Sequence, residues 1–242
     1  MQGDLDGDAL LALWERGLGR AAWARDAALL QASSEGATPA RTLGERNARL
    51  LALHARWFGR DVDLLSHCPS CGTVAQFSAD CDLLTEQMPV AAGAQSHRLD
   101  AQAHLIEFRL PDSADVAAAC DDKVRDDFVR HLLDCCVLSC TREGDSVPVS
   151  QLPVPVLDAL SQRMEALDPG ASVSFALECP QCDTHWSAPL DVGQLVWQKV
   201  QAAAERLLLD VDALARAYGW TEREVLRLNP LRRAAYLQLV TG

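Results

Sequence analysis

The fold is decided by two matching stretches, Cys68-Pro69-Ser70-Cys71-Gly72-Thr73 and Cys179-Pro180-Gln181-Cys182-Asp183-Thr184. Each contains a Cys-Pro-x-Cys knuckle, a short segment with two thiols, and each is followed by a β-compatible segment. A closed structural zinc site takes four ligands in a tetrahedron at about 2.3 Å, and two knuckles supply a complete set of four thiolates. The pattern therefore predicts that one structural zinc ion is bound by Cys68, Cys71, Cys179 and Cys182.

The residue after each second cysteine supports this prediction, because a knuckle often needs a positive φ there. Gly72 adopts such a φ without steric cost, and Asp183 belongs to a residue type that tolerates it. The flanks also look like copies of one another, although Cys71 and Cys182 are 111 residues apart. We therefore expect a zinc-ribbon-like β element assembled from two distant half-sites.

Three other interpretations of the knuckles stay open. Each knuckle could bind its own metal ion, with His67 or Cys81 helping the first and His185 the second. A Cys-Pro-x-Cys motif is also typical of thiol oxidoreductases, where it opens a helix that lowers the pKa of the attacking thiol. Here a strand-like segment follows both knuckles, which argues against redox chemistry. The third alternative is a degenerate site that has lost its metal.

The composition is that of a globular protein with an acidic balance. The 242 residues include 22 basic and 34 acidic side chains, which gives a net charge of −12. A protein that binds a polyanion needs a concentrated positive surface, so this balance argues against a nucleic-acid ligand. The acidic N-terminus, the lack of an apolar run of about 18 residues and the nine cysteines predict a cytoplasmic protein without a membrane segment.

Helical patterns dominate the chain and predict a mostly α-helical α+β fold. We divide it into N-terminal helices (1–66), the first knuckle with β-hairpins (67–110), a helical insert (111–170), a strand with the second knuckle (171–190), and a long helix with a C-terminal hook (191–242). The N-terminal helices are expected at Ala9–Trp14, Ala21–Leu30 and Thr42–Phe58. Thr42 and Glu45 are predicted to form a capping box for the third helix.

The rest of the chain alternates between predicted strands and helices up to Asp191 and is helical after it. A strand is expected at 73–78 and a hairpin at 96–110. A helical segment is expected to open at 111–113 and to continue over 121–140. A loop at 144–155, a helix at 156–167 and a strand at 172–177 are expected to follow. After Asp191 helical spacing continues to Tyr218, and Gly219 breaks it. Two short helices follow, one opened by a capping box at Thr221 and Glu224 and the other by an Asn229 cap.

No catalytic constellation is present in the sequence. Five further cysteines are interpreted as small buried apolar side chains: Cys81, Cys120, Cys135, Cys136 and Cys140. The histidines His54, His97, His104 and His131 lack a nucleophile context. The pairs Asp121-Asp122 and Asp126-Asp127 are expected at a helix start, where carboxylates favour the dipole. We therefore expect no catalytic residue and no enzyme.

The C-terminal hook is the other distinctive segment. It has the pattern Leu-Ala-x-Ala-Tyr-Gly-Trp-Thr-Glu-x-Glu-Val-Leu-x-Leu-x-Pro-x-Arg-Arg-x-x-Tyr-Leu at Leu214–Leu237. This pattern, together with the paired knuckles, resembles the baseplate hub assembly chaperone family of T-even-like contractile phage tails and extracellular contractile injection systems. Leu13-Trp14-Glu15-Arg16-Gly17, Phe108-Arg109-Leu110-Pro111 and Trp197 extend the resemblance over most of the chain.

The resemblance implies a non-enzymatic factor whose partners are baseplate hub, spike or tail-tube proteins, with no nucleic acid, membrane or small-molecule substrate. The protein would then be cytoplasmic or incorporated in a phage-tail-like particle. Within the hook we assign partner binding to Trp220, Arg232, Arg233 and Tyr236. Two other interpretations of the hook stay open: a helical hairpin that folds back and buries its aromatic and leucine side chains, and a DNA-reading helix-turn-helix. The alternatives are a zinc-ribbon nucleic-acid-binding regulator and, in another class, a thiol oxidoreductase.

Overall fold

Helices and small antiparallel sheets alternate along the chain. A computed structural model describes residues 5–33, 40–88, 96–121 and 128–241. The helices of this part are α1 Gly7–Gly17, α2 Ala22–Gln31, α3 Leu43–Phe58, α4 Cys81–Glu86, α5 Ser113–Asp121, α6 Phe128–Cys136, α7 Val154–Leu167, α8 Val192–Tyr218, α9 Glu222–Leu226 and α10 Pro230–Thr241. The strands are β1 Asp61–His67, β2 Val74–Asp80, β3 His97–Ala101, β4 His104–Phe108, β5 Val137–Arg142, β6 Asp145–Ser146, β7 Val173–Glu178 and β8 His185–Leu190. Short 3₁₀ turns lie at Val149–Gln151 and Pro169–Ala171. The predicted α+β class is confirmed.

Capping residues in the sequence set the ends of the C-terminal helices. The long helix α8 begins after Asp191, whose carboxylate accepts a hydrogen bond from the third residue of the helix. It ends at Gly219, which adopts a left-handed φ of 70°. The predicted capping box of Thr221 and Glu224 opens α9. The predicted limits of α8 and the predicted capping box of α9 are confirmed.

The first hydrophobic core joins the two ends of the chain. Helices α1, α2, α3 and α8 pack around it, and strand β1 and helix α9 add side chains to it. Its centre includes Leu10, Leu13, Leu29, Leu50, Leu51, Val62, Val196 and Val200. The described parts of 5–88 and 173–226, on either side of the middle region, therefore form one packed unit.

A second core belongs to the middle of the chain. Strands β3, β4, β5 and β6 form one antiparallel sheet in that order, and helices α6 and α7 contribute to the same apolar cluster. The cluster is formed mainly by Ile106, Phe108, Leu133, Cys136, Val156 and Leu160. The predicted hairpin at 96–110 thus packs with the 111–170 segment rather than with the first knuckle.

The start of α3 connects the two cores. The backbone N–H of Leu43 donates to the carbonyl of Pro111 at 3.1 Å. The next N–H, of Gly44, donates to the buried carboxylate of Asp168 at 2.9 Å. Because these donors at a helix start have no partner within the helix, segments from the second core satisfy them. A side chain at position 44 would collide with Asp168, since a Cβ there would lie 1.9 Å from its Oδ1.

A buried carboxylate lies between α2, α3 and α8. Asp26 is 6% exposed and faces the Arg46 guanidinium at 3.3 Å. Burial raises the pKa of Asp26 to about 6, and the attraction of Arg46 only partly offsets this effect. The folded protein therefore holds a proton on Asp26 more tightly than the unfolded chain, whose Asp pKa is near 3.8.

We expect the protein to lose stability as the pH rises through 6 because Asp26 ionises in its buried position. The contribution of the proton is complete below pH 3.8 and falls by about 3 kcal/mol once the pH is well above 6. In Asp26→Asn this loss should be absent, so the variant should gain stability relative to wild type between pH 4 and 7.5. Urea unfolding at several pH values measures the difference. Asp212→Asn removes one surface carboxylate and controls for net charge; parallel profiles for Asp26→Asn and wild type would contradict the prediction.

Two secondary-structure predictions are wrong. Residues 61–67 form strand β1, although the first 66 residues were expected to be helical, because pairing with β2 stabilises them. The helix predicted at 121–140 gives way to strand β5 from Val137, since pairing with β4 outweighs the helical pattern of a short apolar run. Residues 122–127, with Asp122, Asp126 and Asp127, lie outside the described residues; Asp121 ends α5 instead of starting a helix.

The other middle elements agree with the sequence pattern. The hairpin within 96–110, the helix within 156–167 and the strand at 172–177 are confirmed within a few residues. At α3 the capping box is half formed: Thr42 accepts from the N–H of Glu45, but the Glu45 carboxylate accepts from the N–H of Arg41. None of the described helices is both long and apolar enough to cross a membrane.

Candidate metal centre

Two β-hairpins present the four predicted cysteines. The first knuckle connects β1 to β2, and the second connects β7 to β8. Both pairs of strands are antiparallel and stay in register up to the turn, with His67 opposite Val74 and Glu178 opposite His185. The cysteines therefore lie at the tips of two equivalent hairpins.

The backbone of the two knuckles is nearly identical. In the first, the N–H of Cys68 donates to the carbonyl of Thr73 at 2.9 Å; in the second, the N–H of Cys179 donates to the carbonyl of Thr184 at 3.0 Å. The residue after the second cysteine has a positive φ in both, 75° at Gly72 and 55° at Asp183. The conformation predicted from these two residue types is confirmed.

The four sulfur atoms converge on one point. All four lie within 4.8 Å of one another. Across the two hairpins, Cys68 Sγ lies 3.6 Å from Cys182 Sγ, and Cys71 Sγ lies 3.5 Å from both Cys179 Sγ and Cys182 Sγ. The first cysteine of each knuckle is buried and the second is exposed. Four soft donors in such a cluster are able to hold a single metal ion.

Contacts behind the thiols hold the two hairpins together. Phe77 of β2 meets Phe175 of β7 edge to face, with ring centroids 5.1 Å apart. The indole N–H of Trp186 donates to the hydroxyl of Ser66 at 3.1 Å. These two contacts join the hairpins through their strands, which brings the turns that carry the cysteines close together.

Two threonines adjust the acidity of the exposed thiols. The Thr73 hydroxyl lies 3.2 Å from Cys71 Sγ and lowers the pKa of this thiol to about 6. Thr184 holds the same position beside Cys182, also at 3.2 Å, and lowers its pKa. At Cys179, hydrogen bonding from the Gln181 backbone favours the thiolate, but burial and the neighbouring thiols outweigh it and raise the pKa to about 11. The repeated Cys-x-Thr pattern was the sequence signal for this role, which sequence reasoning missed.

Neither extra ligand set for separate metals joins the cluster. Among the described residues, the four cysteines form the one group of three or more possible ligands close enough to share an ion. Cys81 is buried in the first core, where its Sγ lies 3.5 Å from Nδ1 of His54. This arrangement favours a shared site over two sites completed by His67, Cys81 or His185.

The remaining cysteines fall into two groups. Cys81, Cys136 and Cys140 are buried, as predicted, and burial raises their pKa values, to about 11 for Cys81 and about 12 for Cys136. Cys120 and Cys135 are exposed, so their assignment to the core is wrong. They lie on the solvent side of the short helices α5 and α6, a face that the sequence pattern did not define.

The two buried histidines form hydrogen bonds with backbone carbonyls close to them in the chain. His54 is buried with Nδ1 2.9 Å from the carbonyl of Gly59, and burial lowers its pKa. Its Nε2 is buried without a hydrogen-bond partner. His104 is buried with Nδ1 2.9 Å from the carbonyl of Gln102. The thiol of Cys81 lies 3.5 Å from Nδ1 of His54, but this Nδ1 also bonds the carbonyl of Gly59, and burial raises the pKa of the thiol, which opposes formation of a nucleophilic thiolate.

The hook residues assigned to partner binding lie far along the chain from the knuckles, in the segment after α8. Trp220 packs between Tyr218 and Tyr236, and Arg233 pairs with Asp210 of α8. Arg232 is exposed. The hook is thus folded against α8, as the burial of Leu226 also shows.

Comparison with models of known protein families, with curated proteins and with solved structures finds no match to this chain.

Proposed function

We propose that this chain is a non-enzymatic assembly chaperone or adaptor for the baseplate hub of a contractile injection system or phage tail, stabilised by one structural zinc ion. The observation that carries the proposal is the convergence of four thiols from two distant hairpins. A site of this kind joins segments of chain, and it positions whatever surfaces those segments carry. The strands that carry the knuckles reach the first core, which includes the long helix α8, through Val62, Val173 and Leu190.

The geometry suits zinc. A tetrahedron with Zn–S bonds of about 2.3 Å has sulfur–sulfur edges of about 3.8 Å. The shortest sulfur separations are 3.5–3.6 Å and none exceeds 4.8 Å, so small side-chain shifts complete such a tetrahedron. Four thiolates fill all positions around the ion and leave none for water or substrate, which is the arrangement of structural rather than catalytic zinc. Two hairpins joined in this way make a zinc ribbon.

Thiol-redox chemistry is less well supported. Oxidoreductase motifs place the attacking cysteine at a helix N-terminus. In both knuckles the chain continues into a strand, β2 after Cys71 and β8 after Cys182. The thiol pKa lowered to about 6 at Cys71 has its main cause in the Thr73 hydroxyl, and a low thiol pKa also favours the thiolate that metal binding requires.

The proposed link to a contractile tail rests on the sequence resemblance. The hook and the paired knuckles are the parts that resemble the baseplate hub assembly chaperone family, and in this chain both are held by several contacts. The hook packs against α8 through its aromatic cluster and through Leu226, and α8 belongs to the same core as the hairpin strands. Such a protein would present the hook in a fixed direction from the zinc site.

Co-purification tests the function. The tagged chain is expressed with hub, spike and tail-tube proteins of a contractile tail, and bound proteins are identified together with the metal content. We expect one zinc per chain and recovery of a hub, spike or tube protein in stoichiometric amounts. Recovery of none of them, together with DNA binding that weakens steeply with salt, would overturn the proposal in favour of the nucleic-acid-binding alternative.

A further inference from the structure

Three of the four hook residues assigned to partner binding are engaged within the chain. Trp220 stacks on Tyr218 with centroids 4.8 Å apart and meets Tyr236 at a right angle at 4.9 Å. Arg233 pairs with Asp210 at 3.2 Å, and its side chain is 13% exposed. These side chains hold the hook on α8, so a partner must be recognised by a different face of the hook.

The opposite face of α10 is apolar and exposed. Leu231 is 84% exposed and Leu239 is 74% exposed. They are eight residues apart, which puts them on one side of the helix two turns from each other, with exposed Ala235 between them. We call Leu231, Ala235 and Leu239 the outer face of α10. Two such exposed leucines in line form the anchor pattern of a helix that docks against another apolar surface.

The hook that carries this face is basic. The 24 residues after α8 include four Arg and two Glu, whereas the whole chain has a net charge of −12. Arg227 and Arg232 are exposed and make no ion pair with another described residue, and the sequence of α10 contains no acidic residue. The hook is thus a basic, apolar-striped element on an acidic protein.

We propose that the outer face of α10 docks an acidic amphipathic helix of a partner protein, with leucine-like side chains against Leu231 and Leu239 and carboxylates against Arg227 and Arg232. The identification of this partner as a tail component rests on the proposed function. Charge complementarity favours an acidic helix over the other candidates for this face. A second copy of α10 would bring the unpaired arginines of both chains together, and a phosphate backbone would leave both leucines uncovered.

A peptide assay tests the surface by itself. The probe is a labelled helical peptide with Leu at i, i+4 and i+7 flanked by Glu, and its controls replace Glu by Lys or Leu by Ala. We expect fluorescence anisotropy with the full zinc-loaded chain to show at least tenfold tighter binding of the acidic Leu peptide than of either control. Leu231→Glu/Leu239→Glu should lose at least tenfold in affinity. Leu65→Glu/Leu105→Glu, which adds the same charge at strand positions 67% and 52% exposed, should bind as wild type does.

The outcomes separate the two proposals. Equal binding of the Lys peptide, or equal affinity of Leu231→Glu/Leu239→Glu and wild type, would overturn the assignment of this face. Displacement of the peptide by a short DNA duplex at equal concentration would overturn it in favour of a nucleic-acid surface. If hub proteins bind wild type and Leu231→Glu/Leu239→Glu equally well, the assignment of partner binding to the outer face of α10 is wrong while the proposed function stands. If the peptide binds as expected but no tail protein does, the face stands and the proposed function fails.

Discussion

Replacing Cys71 by Ser is expected to abolish stoichiometric zinc binding and to lower the free energy of unfolding by roughly 3–5 kcal/mol. Zinc that binds only the folded chain stabilises it by about 4 kcal/mol when free zinc is about 1,000 times its Kd, because the unfolded chain lacks the site. The Cys71 side chain is exposed, so its loss removes little apolar packing, and the effect reports the metal. Metal analysis and guanidinium unfolding with and without chelator measure both quantities; the chelator should destabilise wild type and leave Cys71→Ser unchanged.

The equivalence of the hairpins supplies the controls. Cys182→Ser should behave like Cys71→Ser, because both are exposed and both lie 3.2 Å from a threonine hydroxyl. Cys120→Ser changes an exposed cysteine outside the cluster and should keep one zinc and wild-type stability. A variant that retains half of the metal would mean that each knuckle binds its own ion. If the wild-type protein contains no zinc and its stability does not change with chelator, the proposed structural role of zinc is wrong.

Replacing Gly17 by Ala is expected to destabilise the protein by about 3 kcal/mol. Gly17 ends α1 directly against the Trp197 ring, and a Cβ there would lie 2.2 Å from Cη2 and 2.3 Å from Cζ3. Trp197 is buried in the first core, with the Arg25 guanidinium 5.5 Å from its ring centroid. The ring cannot move aside without disturbing that packing, and overpacking of this kind costs about 1–3 kcal/mol or more. Urea unfolding at fixed zinc concentration measures the loss.

The same helix provides a matched control for Gly17. At Gly7 the atom nearest to an added methyl group would be the flexible end of Leu226 at 3.0 Å, so Gly7→Ala should change stability by less than about 1 kcal/mol. A smaller ring should relieve the collision: Gly17→Ala should cost at least about 1 kcal/mol less in a Trp197→Phe background. If Gly17→Ala and Gly7→Ala cost the same, the proposed collision does not exist.

Local chemistry made most helices predictable. The capping box at Thr221, the glycine at position 219 and the Asp191 cap act within four residues, so the sequence alone contains both partners of each interaction. The convergence of the four cysteines was predictable for a similar reason. One knuckle supplies only two of the four ligands that a closed zinc site needs, and the chain contains a second knuckle. Gly72 and Asp183 allow the same positive φ after the second cysteine of each.

Long-range pairing was not predictable in the same way. The short apolar runs in β1 and β5 fit a helix or a strand, and their partners β2 and β4 decide between the two. Nothing local marks Asp168 as the acceptor for the start of α3, 124 residues away. In the hook, the sequence allowed either partner binding by Trp220 and Tyr236 or a folded-back helical hairpin that buries them, and only the contact between the two rings decides for the second.

The order of the cysteines along the chain has a consequence during synthesis. The ribosome delivers Cys68 and Cys71 first, and Cys179 follows Cys71 by 108 residues. At typical translation rates this interval lasts about 5–20 s, during which half of the coordination sphere exists without the other half. The segment made in that interval, which contains the second core, has time to fold as a unit before the site closes. We therefore expect zinc uptake to follow folding of the second core and to precede completion of the first core, because helix α8 is made after both knuckles.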